Sequence, residues 1–501
     1  MSKLPVEKLA EYRSEAYSSG SHDRLRGFML DRRAFVYGAI ALNFSGTAAM
    51  AITSPRPPVH PVLTPEMFGA KGDGRADDSA AFAALSDAIN QAGGGTVLLK
   101  KQTYIVGVQR IGAKGVFERA RLLEFIGCSR PLVILGNGAR LRCADGQRYG
   151  TFDRDGSPVT IPKRGDRTGT SALTPYRQMI MVSRCGGSIE IRDLELDGNL
   201  DAHVVGGRKG DVGWQIPSIG LVLQENTGSE TVVNVLSHRH ALDGVYIDGP
   251  RKAMPIVRRQ FDRLRADMNG RQGMSIVGGQ DYEFSRSSFT RSGRGKISSA
   301  PAAGLDIEAE RGKAVRNLKF VDCRFEDNRG CGMVADSGDS ANVKFTACKF
   351  VGTTNWSAWP RKPGFTFERC TFVGSLVNPF GSPDPTLATK FFNCVFRDDP
   401  ALTSTGQVYL HANISAELAH AQNVFFEHAT FLLDHDGVLP WSVGPIWSNC
   451  VMTQRSTQKA HTRGTFIGTN RITGPVNLAH SVINGTLVVN GRKVRKTQQP
   501  S

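Results

Sequence analysis

The chain has 501 residues, of which 55 are glycine and 22% are charged, with a formal net charge of +16. That length is more than one compact core usually holds, and the composition is not that of a disordered chain, so an elongated or repeating architecture is expected. The basic balance suits an acidic polymer, whereas nucleic acid is set aside because the sequence has no zinc-finger spacing, no compact lysine-arginine run and no aromatic-basic signature of an RNA-binding sheet.

Residues 1–52 read as an export signal with a long polar leader. Asp31-Arg32-Arg33-Ala34-Phe35 opens a mildly apolar run that ends at Ile52, and Ala49-Met50-Ala51 has the small-x-small form of a cleavage site. The stretch resembles a twin-arginine signal, departing from it at Asp31 and Tyr37. A periplasmic or secreted protein is the expectation, with an inner-membrane anchor as the alternative. The run is a poor membrane span, because Gly38, Asn43, Ser45, Gly46 and Thr47 interrupt it. Residues 53–64 carry Pro55, Pro57, Pro58 and Pro61 and read as a stiff linker.

Phe68-Gly69-Ala70-Lys71-Gly72-Asp73-Gly74 then leads into Asp77-Asp78-Ser79, a glycine-rich turn followed by helix-capping residues. Residues 79–92 predict an amphipathic helix with Phe82, Leu85, Ala88 and Ile89 on one face, stopped by Gly93-Gly94-Gly95. Residues 96–99 and 103–106 predict strands. No G-K-[ST] follows Gly74, so the turn is not a phosphate loop. This run resembles the opening segment of the pectate-lyase-like superfamily, which includes polygalacturonase- and rhamnogalacturonase-type enzymes, alginate lyases, epimerases and phage tailspikes. The resemblance is specific for the fold and not for the reaction. It implies an all-β protein, a right-handed single-stranded parallel β-helix over residues 65–491, with the short helix capping its N-terminal end. Residues 492–501 read as a frayed basic tail.

Two repeats support a solenoid. Gly220, Gly244, Gly273, Gly304 and Gly332 each open a short strand, at spacings of 24, 29, 31 and 28 residues. Positions one and three after each glycine are apolar, so Leu305 and Ile307 should face inward while Asp306 and Glu308 face outward. The second repeat is aromatic-x-x-Cys-x-aromatic, as in Phe320…Cys323…Phe325, Phe345…Cys348…Phe350, Phe367…Cys370…Phe372 and Phe391…Cys394…Phe396. Stacked in a parallel solenoid, these become ladders of rings and of buried thiols; cysteines in a line cannot surround a metal. Asn199, His240, Asn269, Ser292 and Asn328 recur where a short polar side chain can bond the backbone at a turn.

The outward column collects the chemistry. Asp306, Glu308, Asp336 and Asp248 are the candidate catalytic carboxylates, and Tyr246, Arg271, His240, Trp356 and Trp359 the candidate substrate contacts. Asp306 and Glu308, two residues apart on a strand, have Cα atoms roughly 6.7 Å apart, which suits the carboxylate pair of an inverting hydrolase. β-Elimination on a uronate would instead need a base such as Tyr246 or His240, and a carboxylate neutraliser such as Arg271 or a calcium held by Asp248, Asp306, Glu308 and Asp336. No cofactor is required for hydrolysis. The sequence has neither the N-T-D…D-D…G-H-G…R-I-K set of polygalacturonases nor the Y-G-F-D-P-H element of mannuronan epimerases, so their catalytic residues do not carry over. The expectation is a monomeric polysaccharide-cleaving enzyme, hydrolase ahead of lyase, with an epimerase, a sugar-binding solenoid or a trimeric tailspike-like fibre as alternatives.

Overall fold

The computed structural model describes residues 60–112, 116–159, 177–207, 215–251 and 257–494. The export-signal reading of residues 1–52 and the tail beyond residue 494 lie outside them. Among the described residues no helix is long and apolar enough to cross a membrane.

Asp78 explains the glycine-rich opening. Its buried carboxylate accepts the backbone N–H of Lys71 at 2.6 Å and of Gly72 at 3.1 Å, folding the turn back on itself instead of capping the helix. The helix α1 (Ser79–Ala92) follows and ends at Gly93, whose φ of 70° places it in the left-handed region. Phe82, Leu85 and Ile89 are fully buried. On the same helix, Asn90 donates to the Glu124 carbonyl at 2.7 Å and accepts from the Ile126 N–H at 2.9 Å. These are backbone groups of the strand Leu123–Ile126, so α1 closes the exposed edge of the sheet at its first coil.

From there the chain winds as a right-handed parallel β-helix with three strand ladders. The first face carries the glycine-led strands: Leu221–Gln224 pairs with Val245–Asp248, then Met274–Gln280, Leu305–Ile307, Met333–Ala335 and Ala358–Pro360, all parallel. Leu305, Ile307, Met274, Ile276, Met333 and Ala335 are fully buried, as the alternation predicts. The glycines are required by close approach: a Cβ on Gly304 would stand 2.6 Å from the Gly332 carbonyl oxygen, and one on Gly273 would stand 2.5 Å from that of Gly304. Those carbonyls accept the N–H of Leu305 and Met274 respectively, so each coil hangs from the next.

The second and third faces hold the aromatic repeat. Phe284, Phe320, Phe345, Phe367, Phe391 and Phe426 stack at 4.6–5.0 Å between ring centroids. Phe325, Phe350, Phe372, Phe396 and Phe431 form a parallel stack at 4.3–5.0 Å. The two stacks meet edge-on, as in Phe320–Phe325 at 5.8 Å and 70°. Between them the chain turns on one left-handed residue per coil, among them Asp322, Ala347, Arg369, Asn393 and Asn449, with φ near +54°. The thiol that follows bonds back across the coil: Cys348, Cys370 and Cys394 donate to the carbonyls of Phe320, Phe345 and Phe367 at 3.4–3.5 Å. All nine cysteines are free and buried. The polar turn ladder also forms: Asn269 Oδ1 accepts the His240 N–H at 3.0 Å, and Asn328 Oδ1 accepts that of Ser292 at 2.9 Å.

Both ends of the solenoid extend past the expected boundaries. Val62–Leu63, inside the stretch read as a linker, pairs with Thr96 and Val97. Arg492–Lys493, read as tail, forms an antiparallel turn-back on Val488–Val489.

Ala347 holds a left-handed conformation that costs an ordinary residue about 1 kcal/mol and asparagine less. Ala347→Asn is therefore expected to stabilise the fold by about 0.5–1 kcal/mol in a denaturant titration. Native protein should leave its nine thiols unreactive toward a thiol reagent, and denatured protein should titrate all nine without reductant.

Candidate functional site

The outer side of the first face is not an open acidic stripe. Tyr246, Ser275, Asp306 and Val334 stand in register there, followed by Trp359. Asp306 is 5% exposed, Asp248 1% and Val334 fully buried. Small apolar clusters pack against the column, so the outward side chains Asp306 and Asp248 are buried and not displayed to solvent.

A register shift sets the geometry. Ile247 pairs with Ile276, but Asp248 pairs with Gly278, so Val277 is an extra residue in its strand. The segment after Leu305–Ile307 then lies against the displaced strand: Glu308 N–H donates to the Ile276 carbonyl at 3.1 Å and Glu310 N–H to that of Val277 at 2.9 Å. This brings Glu308, Glu310, Arg311 and Lys313 over Tyr246 and Asp248. The sequence pattern singles out none of Glu310, Arg311, Lys313, Asp243 and Gln272. The charged run Glu308-Ala309-Glu310-Arg311-Gly312-Lys313 directly behind the central strand is the signal that marks three of them.

Each group has a defined partner. Lys313, itself buried, forms ion pairs with Asp248 and Glu225, and Arg311 Nη1 reaches Asp248 Oδ2 at 3.5 Å. Gln224 Nε2 donates to the same Asp248 oxygen at 3.2 Å. On the same coil as Asp248, the wholly buried Asp243 accepts from three residues of the next coil: Arg271 Nε at 2.8 Å and Nη2 at 2.5 Å, Ser275 Oγ at 3.1 Å and the Gln272 N–H at 3.2 Å. Gln272 Nε2 then donates to Asp306 Oδ2 at 2.7 Å. Ser337 Oγ donates to Glu308 Oε1, and Asp336 sits half-buried beside it on the next coil.

Glu310 is the group whose acidity this arrangement changes. Burial pushes its carboxyl up, the Glu308 and Asp248 charges push the same way, and Arg311 and Arg271 oppose them. Burial and the Glu310 and Asp248 charges also push the Tyr246 phenol up, so it keeps its proton.

Three expected substrate contacts take other roles. His240 is fully buried, with Nε2 3.1 Å from the Leu196 carbonyl, and burial holds its imidazole well below the ordinary range. It belongs to the interior turn ladder and not to a substrate site. Trp356 is 3% exposed and packs edge-on against Tyr409 at 5.4 Å, fastening its loop to the coil. Arg271 is held by Asp243. Trp359 remains half-exposed on the outer face, in register with Val334.

Two of the four expected calcium ligands are already engaged: Asp248 pairs with the cations Lys313 and Arg311, and Asp306 accepts from the Gln272 amide. On another face, Glu195, Asp197 and His238 bring potential ligand atoms within 4.8 Å of one another. Arg140 pairs with both of those acids and occupies the charge balance there.

The register itself defines a parallel β-helix protein. No family model matches the chain, and no curated protein matches it by sequence. Solved structures with a similar chain path include the A-module of the Azotobacter vinelandii mannuronan C-5 epimerase AlgE4, at 17% identity and a TM-score of 0.42 over 84% of this chain and 100% of that one. Another is the N-terminal fragment of bacteriophage phi29 gene product 12, at 12% identity and a TM-score of 0.47, over 86% and 73%. A third is pectate lyase Pel9A, at 13% identity and a TM-score of 0.34, over 84% and 77%.

Lys313→Met would leave the buried Asp248 with the Gln224 amide and, among the described residues, Arg311 as its one remaining cation. A loss of about 3–5 kcal/mol is expected in chemical denaturation, most of it recovered when Asp248→Asn is added.

Proposed function

We propose that this protein is a carbohydrate-active enzyme that cleaves glycosidic bonds of an acidic polysaccharide by hydrolysis. The observation that carries the reading is Glu310: a carboxyl raised by burial and by neighbouring acids, on the outer face of a rigid solenoid and beside arginines. A general acid must hold its proton at working pH, and the burial and neighbouring acids at Glu310 act in that direction. Glu308, which accepts a hydrogen bond from Ser337, is the partner carboxylate that activates water. Glu308 and Glu310 are two residues apart, a step that extended backbone spans in roughly 6–7 Å between Cα atoms, and an inverting pair holds its carboxyl groups about 6.5–9.5 Å apart. Arg311, 40% exposed, is the cation available to a uronate carboxylate.

Elimination and epimerisation are less well supported. Both begin by removing a carbon-bound proton, and the bases on hand are unsuited: Tyr246 holds its proton, His240 lies in the interior, and Arg271 is paired with Asp243. Of the sequence-derived carboxylates, Asp306 and Asp248 serve to position the face, while Glu308 and Asp336 remain on the substrate side. The twin-arginine-like leader supports action outside the cytoplasm.

The test is turnover on a panel of acidic polysaccharides, scored for new reducing ends and for the ultraviolet absorbance of unsaturated uronate. New reducing ends without that absorbance are expected, and the reverse would establish a lyase. Glu310→Gln should lower kcat about a hundred- to ten-thousand-fold with a small change in KM. It should also remove the alkaline limb of kcat/KM, because a proton donor stops working as pH rises through its raised pKa.

A further inference from the structure

A cavity of about 350 Å³ opens on the same outer face near the C-terminal end of the solenoid. Its walls include His411, Glu417, Trp441, Gln458, Lys459 and His461. The volume is at the lower end of the range for small-ligand sites, enough for one or two sugar rings.

The cavity is built on rigid parts. Glu417 and Trp441 are register partners on adjacent strands, Ala416–Leu418 and Trp441–Ser442. The segment that brings in His411 is anchored by the His411 N–H donating to Ser375 Oγ at 2.9 Å. The His411 ring lies 4.7 Å from that of Trp356, and its Nδ1 is 3.2 Å from the Tyr409 hydroxyl, which leaves Nε2 for a ligand. His461 is held likewise through Nδ1, 3.4 Å from the Asn477 amide, and its carbonyl accepts the Ser442 N–H at 3.1 Å. Trp441 is 38% exposed, unlike Trp356 and Trp447, which are buried.

An uncovered indole beside two fixed imidazoles, a lysine and a carboxylate is chemistry for a sugar ring. The indole takes the apolar face of a pyranose and the polar groups take its hydroxyls. Lys459 is the cation in the wall, the two imidazoles offer ring nitrogens for hydrogen bonds, and the whole chain carries +16, so the favoured sugar bears a carboxylate. Five strand steps separate Asp306 from Trp441, through the strands that begin at Met333, Ala358, Leu376, Ala416 and Trp441. At the strand spacing this is about 24 Å along the axis.

We infer that this cavity is a uronate-binding subsite that anchors the polysaccharide remote from the bond that is cut. The inference rests on the carbohydrate reading above and adds the location and the ligand class. Binding energy gained so far from the reacting centre tightens the hold on long chains without supplying the proton transfer.

The test uses the full chain in the Glu310→Gln background, with mannuronate and galacturonate oligomers of graded length as probes in isothermal titration calorimetry. Trp441→Ala and Lys459→Met are the variants, and thermal melts confirm that each folds. At least a tenfold weaker affinity for uronate oligomers is expected in both. Carboxyl-reduced oligomers should bind the parent more weakly and should be insensitive to Lys459→Met. In the otherwise unaltered chain, Trp441→Ala should raise KM for long polymer and leave kcat unchanged. Uronate affinity that is equal in the parent and both variants overturns the subsite, as does a parent that binds no uronate; either result leaves the Glu310 kinetics as a separate test. Affinity lost with Trp441, in a chain that cleaves no polysaccharide, supports the subsite and overturns hydrolysis.

Discussion

Ring stacking is the constraint on which the rest of this structure depends. A parallel ladder by itself permits a strand to slip, because its backbone bonds are alike at every step. Two columns of phenylalanine, stacked at about the strand spacing and meeting edge-on, remove that freedom. A slip of one residue would turn every ring to the outside. The first face inherits its register from these columns through the covalent coil, so the carboxylates on its outer side are positioned by rings on the opposite side of the solenoid.

Much of this was legible in the sequence because it repeats. The glycine frame, the inward pair Leu305 and Ile307, the thiol ladder and the helix over 79–92 are each fixed by local chemistry applied coil after coil. The left-handed bend was less legible. Its residues are Asp, Asn, Arg, Ala and His by turns, so no residue type announces it. What selects the bend is the pair of ring columns on either side, which hold the backbone where only one such residue fits between them.

The site was legible only in outline. Periodicity points Asp306 to the outer side of its strand, but Glu308 falls just past the strand's end, and periodicity says nothing of what covers either. The single extra residue at Val277 shifts the ladder, and the segment carrying Glu310, Arg311 and Lys313 follows that shift over Asp248. A bulge leaves no mark in a repeat count, and a loop between coils has no period to read. His240 shows the converse: a residue type associated with chemistry, placed by a turn ladder that needed only a small polar side chain.

The thiol ladder makes unfolding a different event inside and outside a reducing compartment. Folded, each sulfur is shielded and bonded to a carbonyl one coil away, and the coils hold it apart from oxidants. Released, the same sulfurs lie on a loose chain at short intervals, free to cross-link in many wrong combinations. In an oxidising medium the opened solenoid would lose its way back, so its persistence there is governed by how slowly it opens rather than by how favourably it closes.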